Sequence, residues 1–216
     1  MKKVLVAVLA VVFAATLASA ELMTTSDPVG KGNWAFLGSG IQDQNFSNDS
    51  DASLTTIGGV VGYGITDQLD AYVQLGSSTS NNLPTDVTGT GYGVNFKYTV
   101  WEESHEMPVT VSTGLGYKST TWKASGISDQ NATQLSLGAG ISKVWQQFIP
   151  YGGLAYRKNS QDGSDLSSQI DLTVGSSIPW PNMGAFFVEY TLQSITPDGG
   201  SNYSSNQIGA GFGTKL

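Results

Sequence analysis

Apolar residues alternate with small or polar residues along much of the chain, and residues 88–100 show this pattern most clearly. The apolar or aromatic set there is Tyr92, Val94, Phe96, Tyr98 and Val100, and the small or polar set is Gly91, Gly93, Asn95, Lys97 and Thr99. Successive side chains of a strand point to opposite faces, so the alternation predicts a strand with one apolar and one polar face. Such a strand fits either a water-soluble sheet or the wall of a membrane barrel.

The same period of two recurs along the chain, and it predicts ten strands with no convincing amphipathic helix between them. The other nine predicted strands are residues 33–46, 54–65, 69–77, 108–121, 133–145, 148–159, 168–178, 185–195 and 206–216. The segments 33–46 and 148–159 alternate poorly, so eight and twelve strands remain alternatives. The pattern favours an all-β, up-and-down antiparallel barrel of about ten strands.

The predicted links between strands alternate in length. The short links are 66–68, 102–107, 146–147 and 179–183, and the long polar links are 47–53, 78–87, 123–132, 160–167 and 196–205. Successive links of an up-and-down sheet lie at opposite ends of the sheet. Short turns at one end and long loops at the other are typical of an outer-membrane barrel, with its periplasmic turns and extracellular loops.

The amino terminus has the features of an export signal. Met1, Lys2 and Lys3 precede an apolar run at 4–17 and the triplet Ala-Ser-Ala at 18–20, which predicts a signal peptide over residues 1–20. The run is shorter than the roughly 20 apolar residues that a membrane-spanning helix needs. We therefore expect export, a periplasmic lead-in over residues 21–32 and a transmembrane barrel over residues 33–216.

Composition favours the membrane barrel over the soluble one. Charged residues make up 12% of the chain and glycine is abundant, with 27 residues, whereas soluble domains carry about 25% charged residues. A face of Gly, Ser, Thr, Asn and Gln is a poor coat for a soluble protein and a suitable lining for a narrow barrel. The formal charge of −7 argues against a nucleic-acid partner, because phosphate binding needs a basic surface. A soluble periplasmic barrel that binds an apolar ligand is the alternative.

Two hairpins and the last strand carry a family resemblance. Residues 62–69, residues 149–156 and the closing strand 207–216 resemble the small Gram-negative outer-membrane β-barrel proteins, the class of opacity-type, OmpX-type and OmpW-type barrels. The resemblance covers the whole mature chain, and it implies outer-membrane lipid and the assembly machinery that reads the last strand as partners. That class usually ends in an aromatic residue, and Leu216 departs from this rule.

Catalytic, cofactor and metal sites are not expected. The single histidine, His105, is predicted in a short turn with Ser104 and Glu106, and neighbours in one turn rarely form a catalytic triad. The oxygen-rich segments 48–51 and 162–165 lack the spacing of a defined calcium loop. An outer-membrane enzyme that hydrolyses lipid or peptide is kept as an alternative.

Five charged residues are predicted to face the lumen, and they are Lys97, Lys118, Arg157, Asp171 and Glu189. The register predicts that Asp171 and Glu189 lie near each other and that Arg157 is close to Asp171. We expect this cluster to be salt-bridged with Arg157 or bridged by water. Such charges either rigidify a closed barrel or line a narrow pore, and the small interior of ten strands favours the first reading. The expected role is structural, surface-interacting through the loops, or a slow passage for small solutes.

Overall fold

The computed structural model describes residues 27–44, 53–81, 87–161, 164–181, 183–199 and 202–216. These residues form ten antiparallel strands closed into one barrel, which confirms the predicted fold class. The strands are β1 (Trp34–Gln44), β2 (Ser53–Gly64), β3 (Leu69–Asn81), β4 (Val87–Trp101), β5 (Thr110–Ala124), β6 (Ile127–Ser142), β7 (Ile149–Gln161), β8 (Ser164–Trp180), β9 (Gly184–Pro197) and β10 (Tyr203–Lys215). The predicted signal peptide and residues 21–26 of the predicted lead-in lie outside the described residues. None of the described residues belongs to a helix with the length and apolarity to cross a membrane.

Each strand pairs with its neighbours in sequence, and β1 closes the barrel on β10. That seam runs from the pair Ala35–Lys215 to the pair Gln44–Asn206. The start of β1, the end of β10 and the links 65–68, 102–109, 143–148 and 181–183 all lie at one end, the turn end. The strand ends that flank the links 45–52, 82–86, 125–126, 162–163 and 198–202 lie at the opposite end, the loop end.

The apolar set points outward in the central part of the barrel, and the polar set points inward. In β4 the side chain of Phe96 is 39% exposed, whereas its neighbour Asn95 is 3% exposed. The same inversion places Leu75, Leu115, Leu137, Leu154, Leu172 and Val188 on the outer surface. An outer surface of this kind is stable only where the surrounding solvent is itself apolar, as in a lipid bilayer.

Aromatic side chains mark the turn end of this outer apolar surface. Ring centroids lie 4.9 to 5.5 Å apart in the pairs Trp34–Tyr63, Trp145–Phe148, Trp180–Phe186 and Phe186–Phe212. Amphipathic rings are stable at the level where lipid meets water, and membrane barrels collect them in girdles there. This band therefore marks one membrane boundary.

At the loop end the outward face is polar and the inward face becomes apolar. The outward residues there are polar and exposed, for example Ser77, Thr79, Thr88, Thr90, Ser194 and Thr196. The inward residues Leu54, Val87, Trp122 and Ala132 form a buried apolar cluster. This is the arrangement of a water-soluble barrel, so the loop ends of the strands extend beyond the lipid into water.

This reversal of the two faces corrects the predicted long link at 123–132. β5 continues to Ala124 and β6 begins at Ile127, so only Ser125 and Gly126 separate the two strands. The prediction was wrong because polar outward residues resemble a loop when an apolar outer face is expected. For the same reason β3, β7, β8, β9 and β10 are longer at this end than the pattern predicts.

A substitution at Gly126 tests the tight hairpin between β5 and β6. Its φ angle is +78°, and a side chain in the left-handed region costs about 1 to 2 kcal/mol. No heavy atom lies within 4 Å of a Cβ built at Gly126, so the cost comes from the backbone alone. We expect Gly126→Ala to lower the free energy of unfolding by that amount in urea titrations in lipid vesicles, and Ser125→Ala to change it little. Equal effects of the two substitutions would contradict the hairpin geometry.

Candidate functional site

The structure places all five charged residues that the sequence predicts for the lumen at buried, inward positions. Lys118 lies opposite Gly93 of β4 and Gln134 of β6. Lys97 lies nearer the turn end, and Arg157, Asp171 and Glu189 lie on the other side of the barrel. The interior therefore contains two separate charged groups in addition to Lys118.

Arg157 and Asp171 form an ion pair across β7 and β8. Arg157 Nη2 lies 2.8 Å from Asp171 Oδ2, and each side chain is only 1% exposed. Gln169 Nε2 donates a hydrogen bond to Asp171 Oδ1. The structure thus brings together the two residues that the register predicts as partners.

Glu189 has a different partner from the one that the sequence predicts. It lies opposite Gly175, whereas Asp171 lies opposite Gln193, so the two carboxylates are not direct neighbours across β8 and β9. Tyr151 donates a hydrogen bond of 3.2 Å from its hydroxyl to Glu189 Oε2. The Tyr151 ring lies over Gly175, where a Cβ would overlap it. The pairing of Tyr151 with Gly175 is the feature of the sequence that could have revealed this inward ring.

A second charged group surrounds Asp70, a buried residue of β3. The ammonium of Lys97 lies 3.4 Å from Asp70 Oδ2, and the Tyr72 hydroxyl donates to the same oxygen at 2.9 Å. The backbone N–H of Val29 donates to both carboxylate oxygens, at 3.0 and 3.1 Å. Asp70 therefore holds the chain that precedes β1 against the inner wall.

Residues 27–33, which we call the strap, fold into the turn end of the barrel. Lys97 Nζ donates to the carbonyl of Asp27 at 2.7 Å, and Lys215 Nζ donates to the carbonyl of Pro28 at 2.6 Å. The strap also crosses Gly64 so closely that a Cβ there would overlap the Gly30 carbonyl. The strap thus covers part of the turn-end opening.

An apolar cavity of about 510 Å³ lies between the strap and the barrel wall. We call it the vestibule, and its apolar lining includes Val29, Leu37, Val60, Ile149, Met183 and Phe187. Tyr72, Lys97 and Lys215 supply polar groups to the same cavity. The sequence did not predict this site, because the strap reaches it through long-range contacts that the local alternation of residues cannot indicate.

The centre of the barrel is lined by polar side chains, several of which lack a partner among the described residues. Both amide atoms of Gln193 are buried without a hydrogen bond to the described part of the chain, as is Gln169 Oε1. Buried amides are costly unless water or another group binds them. A polar lining of this kind favours contact with water over contact with an apolar group.

The structure places the turn with His105 at the turn end of the barrel. His105 is exposed between β4 and β5, and Ser104 Oγ accepts a hydrogen bond of 3.1 Å from Met107 N. No cluster of three or more His, Asp or Glu residues suited to a metal ion occurs in the described part of the chain.

Solved outer-membrane proteins resemble this barrel. The translocator domain of the autotransporter NalP from Neisseria meningitidis matches with a TM-score of 0.52 and 12% identity, over 87% of this chain and 88% of that one. The β domain of the Bordetella autotransporter BrkA matches with a TM-score of 0.50 and 12% identity, over 84% and 98%. OmpT of Vibrio cholerae matches with a TM-score of 0.39 and 14% identity, over 78% of this chain and only 62% of that one.

At such low identity these structural similarities establish only the fold, which is that of the outer-membrane β-barrels. No protein-family model matches the chain, and no curated protein sequence matches it. The opacity, OmpX and OmpW subfamilies are therefore not distinguished.

Proposed function

We propose that this chain is a non-enzymatic outer-membrane barrel whose lumen is closed at rest and whose loop end is presented to the cell exterior. Its role is structural and surface-interacting, with outer-membrane lipid as its permanent partner. The observation that carries the proposal is the interior, in which inward side chains obstruct the lumen at three levels.

Three layers of side chains obstruct the lumen. Leu54, Val87, Trp122 and Ala132 pack together at the loop end. The Arg157–Asp171 ion pair lies within the polar centre, and the strap covers part of the turn end. Ten strands enclose a narrow interior, whereas open aqueous channels are typical of larger barrels, so these layers leave little room for solutes.

The orientation follows from the two ends. A signal peptide would deliver the chain from the periplasm, and the start of β1 and the end of β10 both lie at the turn end. The turn end then faces the periplasm, and the loop end extends its polar outer face beyond the lipid into water. Ligands at the cell surface would meet the Ser-, Asn-, Asp- and Gly-rich links at this end. The last strand, β10, would be recognised by the assembly machinery.

Planar-bilayer recording tests the closed lumen. We expect the folded protein, verified by heat-modifiable migration on a gel, to give no discrete conductance steps, while a large porin in the same bilayers conducts. Regular steps that scale with the amount of protein inserted would contradict the closed lumen. They would favour the second candidate, slow conduction through the hydrated centre around Gln169 and Gln193.

The non-enzymatic assignment has a separate test. We expect the folded protein to release no fatty acid from outer-membrane lipid and to cleave no peptide. Hydrolysis that is abolished by His105→Ala and retained by Lys143→Ala, an exposed residue in another short turn, would contradict the assignment.

A further inference from the structure

We propose that the vestibule binds a single-chain amphiphile with an anionic headgroup, such as a medium-chain fatty acid. The acyl chain occupies the apolar cavity, and the headgroup lies at Lys215. This ligand site goes beyond the proposed function, which requires no ligand.

The chemistry of the vestibule wall is the first argument. Most inward positions in the centre of the barrel are polar or charged, but those at the turn end include Leu37, Val60 and Phe187. Apolar surface inside a barrel is stabilised only when something other than water covers it. Val29 of the strap covers part of it, and a cavity of about 510 Å³ remains, within the range of about 300 to 1,000 Å³ typical of ligand sites.

The fixed shape of the cavity is the second argument. The Phe187 ring lies over Gly211 and the Tyr72 ring lies over Gly62, and a Cβ at either glycine would overlap the ring. Asp70 pins the strap through the backbone of Val29. A preformed wall lowers the entropic cost of binding, because less of the site must become ordered around the ligand.

The charge at the mouth selects the headgroup. The positive charge of Lys97 is matched by Asp70, at 3.4 Å. The Asp27 carboxylate also lines the cavity and accepts a hydrogen bond from Thr110. Lys215 instead donates to the uncharged carbonyl of Pro28, and no salt bridge joins it to another described residue. An ammonium group has three N–H donors, so Lys215 can also bind a carboxylate. An apolar cavity with a cation at its exposed edge fits an anionic amphiphile better than a neutral lipid.

Photolabelling with decanoic acid that carries a diazirine near the end of its chain tests the proposal in lipid nanodiscs. We expect the adducts, mapped by peptide mass spectrometry, to fall on inward residues of the vestibule such as Leu37, Val60 and Phe187. Excess unlabelled decanoate is expected to remove them. Adducts confined to lipid-facing residues, or insensitive to the competitor, would overturn the proposal.

Two adjacent valines of β2 provide matched variants. Val60 is 5% exposed and faces the vestibule, whereas Val61 is 39% exposed and faces lipid. We expect Val60→Trp to reduce vestibule labelling about tenfold, because the indole would occupy the space of the acyl chain, and Val61→Trp to leave it unchanged. If Val60→Trp fails to show heat-modifiable migration, Val60→Phe replaces it. Equal labelling of the inward and outward variants would overturn the proposal.

The headgroup is tested by comparing decanoate with decanol as competitors. We expect decanoate to compete about threefold better, the effect of one partly exposed ion pair, and this preference to vanish in Lys215→Gln but persist in Lys143→Gln. A preference that survives Lys215→Gln would overturn the assignment of the headgroup. A barrel that gives no conductance and no vestibule labelling would rule out the ligand site and leave the proposed function intact.

Discussion

Replacing Phe96 with arginine is expected to impair insertion of the barrel and to cost about 2 to 4 kcal/mol near the bilayer midplane. Phe96 lies on the outer face of β4, opposite Ala71 of β3 and Leu115 of β5. It lies between Tyr92 and Tyr98, two outward tyrosines of the same strand. An arginine there would place its guanidinium in hydrocarbon with no polar partner on the neighbouring outer positions.

Thr90→Arg is the matched control, because Thr90 is exposed on the same face of the same strand and lies nearer the loop end. We expect it to fold like the unmodified protein, since that level of the barrel lies in water. Heat-modifiable migration and urea unfolding in lipid vesicles measure both variants. Equal losses in the two would contradict the assigned membrane level, and tolerance of Phe96→Arg would contradict the outward face.

The inward neighbour Asn95 is a poorer control than the sequence indicates. From the alternation alone, Asn95→Arg is expected to be tolerated if the lumen has room. In the structure Asn95 Nδ2 lies 3.4 Å from Gln74 Oε1, and its side chain lies against Gly116. Overpacking rather than charge would dominate that substitution.

Removing Arg157 is expected to produce the second large effect. Asp171 is fully buried, and Arg157→Ala would leave its carboxylate without the neutralising guanidinium. Breaking a buried ion pair from one side costs about 3 to 5 kcal/mol. We expect Arg157→Ala to lower the free energy of unfolding by that amount in urea titrations in lipid vesicles.

The double variant Arg157→Met with Asp171→Leu separates this effect from loss of packing. Both charges are then absent, and similar volume is retained, so we expect most of the lost stability to return. Lys158→Ala, on the outward face of β7, is the single-site control and should change little. If the double variant were as unstable as Arg157→Ala, packing of the arginine stem would explain the loss instead of the uncompensated carboxylate.

The fold was predictable because apolar and polar residues alternate in ten segments, and few structures other than β-strands produce such alternation. Residues 88–100 predict β4 almost to its ends, since Val87 and Trp101 are its actual limits. The weak pattern of residues 33–46 now has a physical reason. Leu37 and Ile41 face inward and pack with Phe187, while Trp34 and Phe36 face lipid, so both faces of β1 are apolar.

The interior was predictable only where strand register determines proximity. Arg157 and Asp171 lie on adjacent strands, two positions apart in the register of β7 and β8, and counting residues suffices to bring them together. The contact of Val29 with Asp70 joins a segment without periodicity to a strand 41 residues away. No alternation reports such a contact, so the strap and the vestibule became visible only in three dimensions.

The claim on which the account rests is that the apolar face of β4 contacts lipid. The chain has no cysteine, so Val94→Cys, Asn95→Cys, Phe96→Cys and Thr88→Cys each provide a single site for a small fluorescent label in vesicles with brominated lipid. We predict strong quenching at positions 94 and 96, and little at 95, which faces the lumen, or at 88, which lies above the lipid. Quenching at 95 with none at 94 and 96 would place the polar face in lipid and contradict the account.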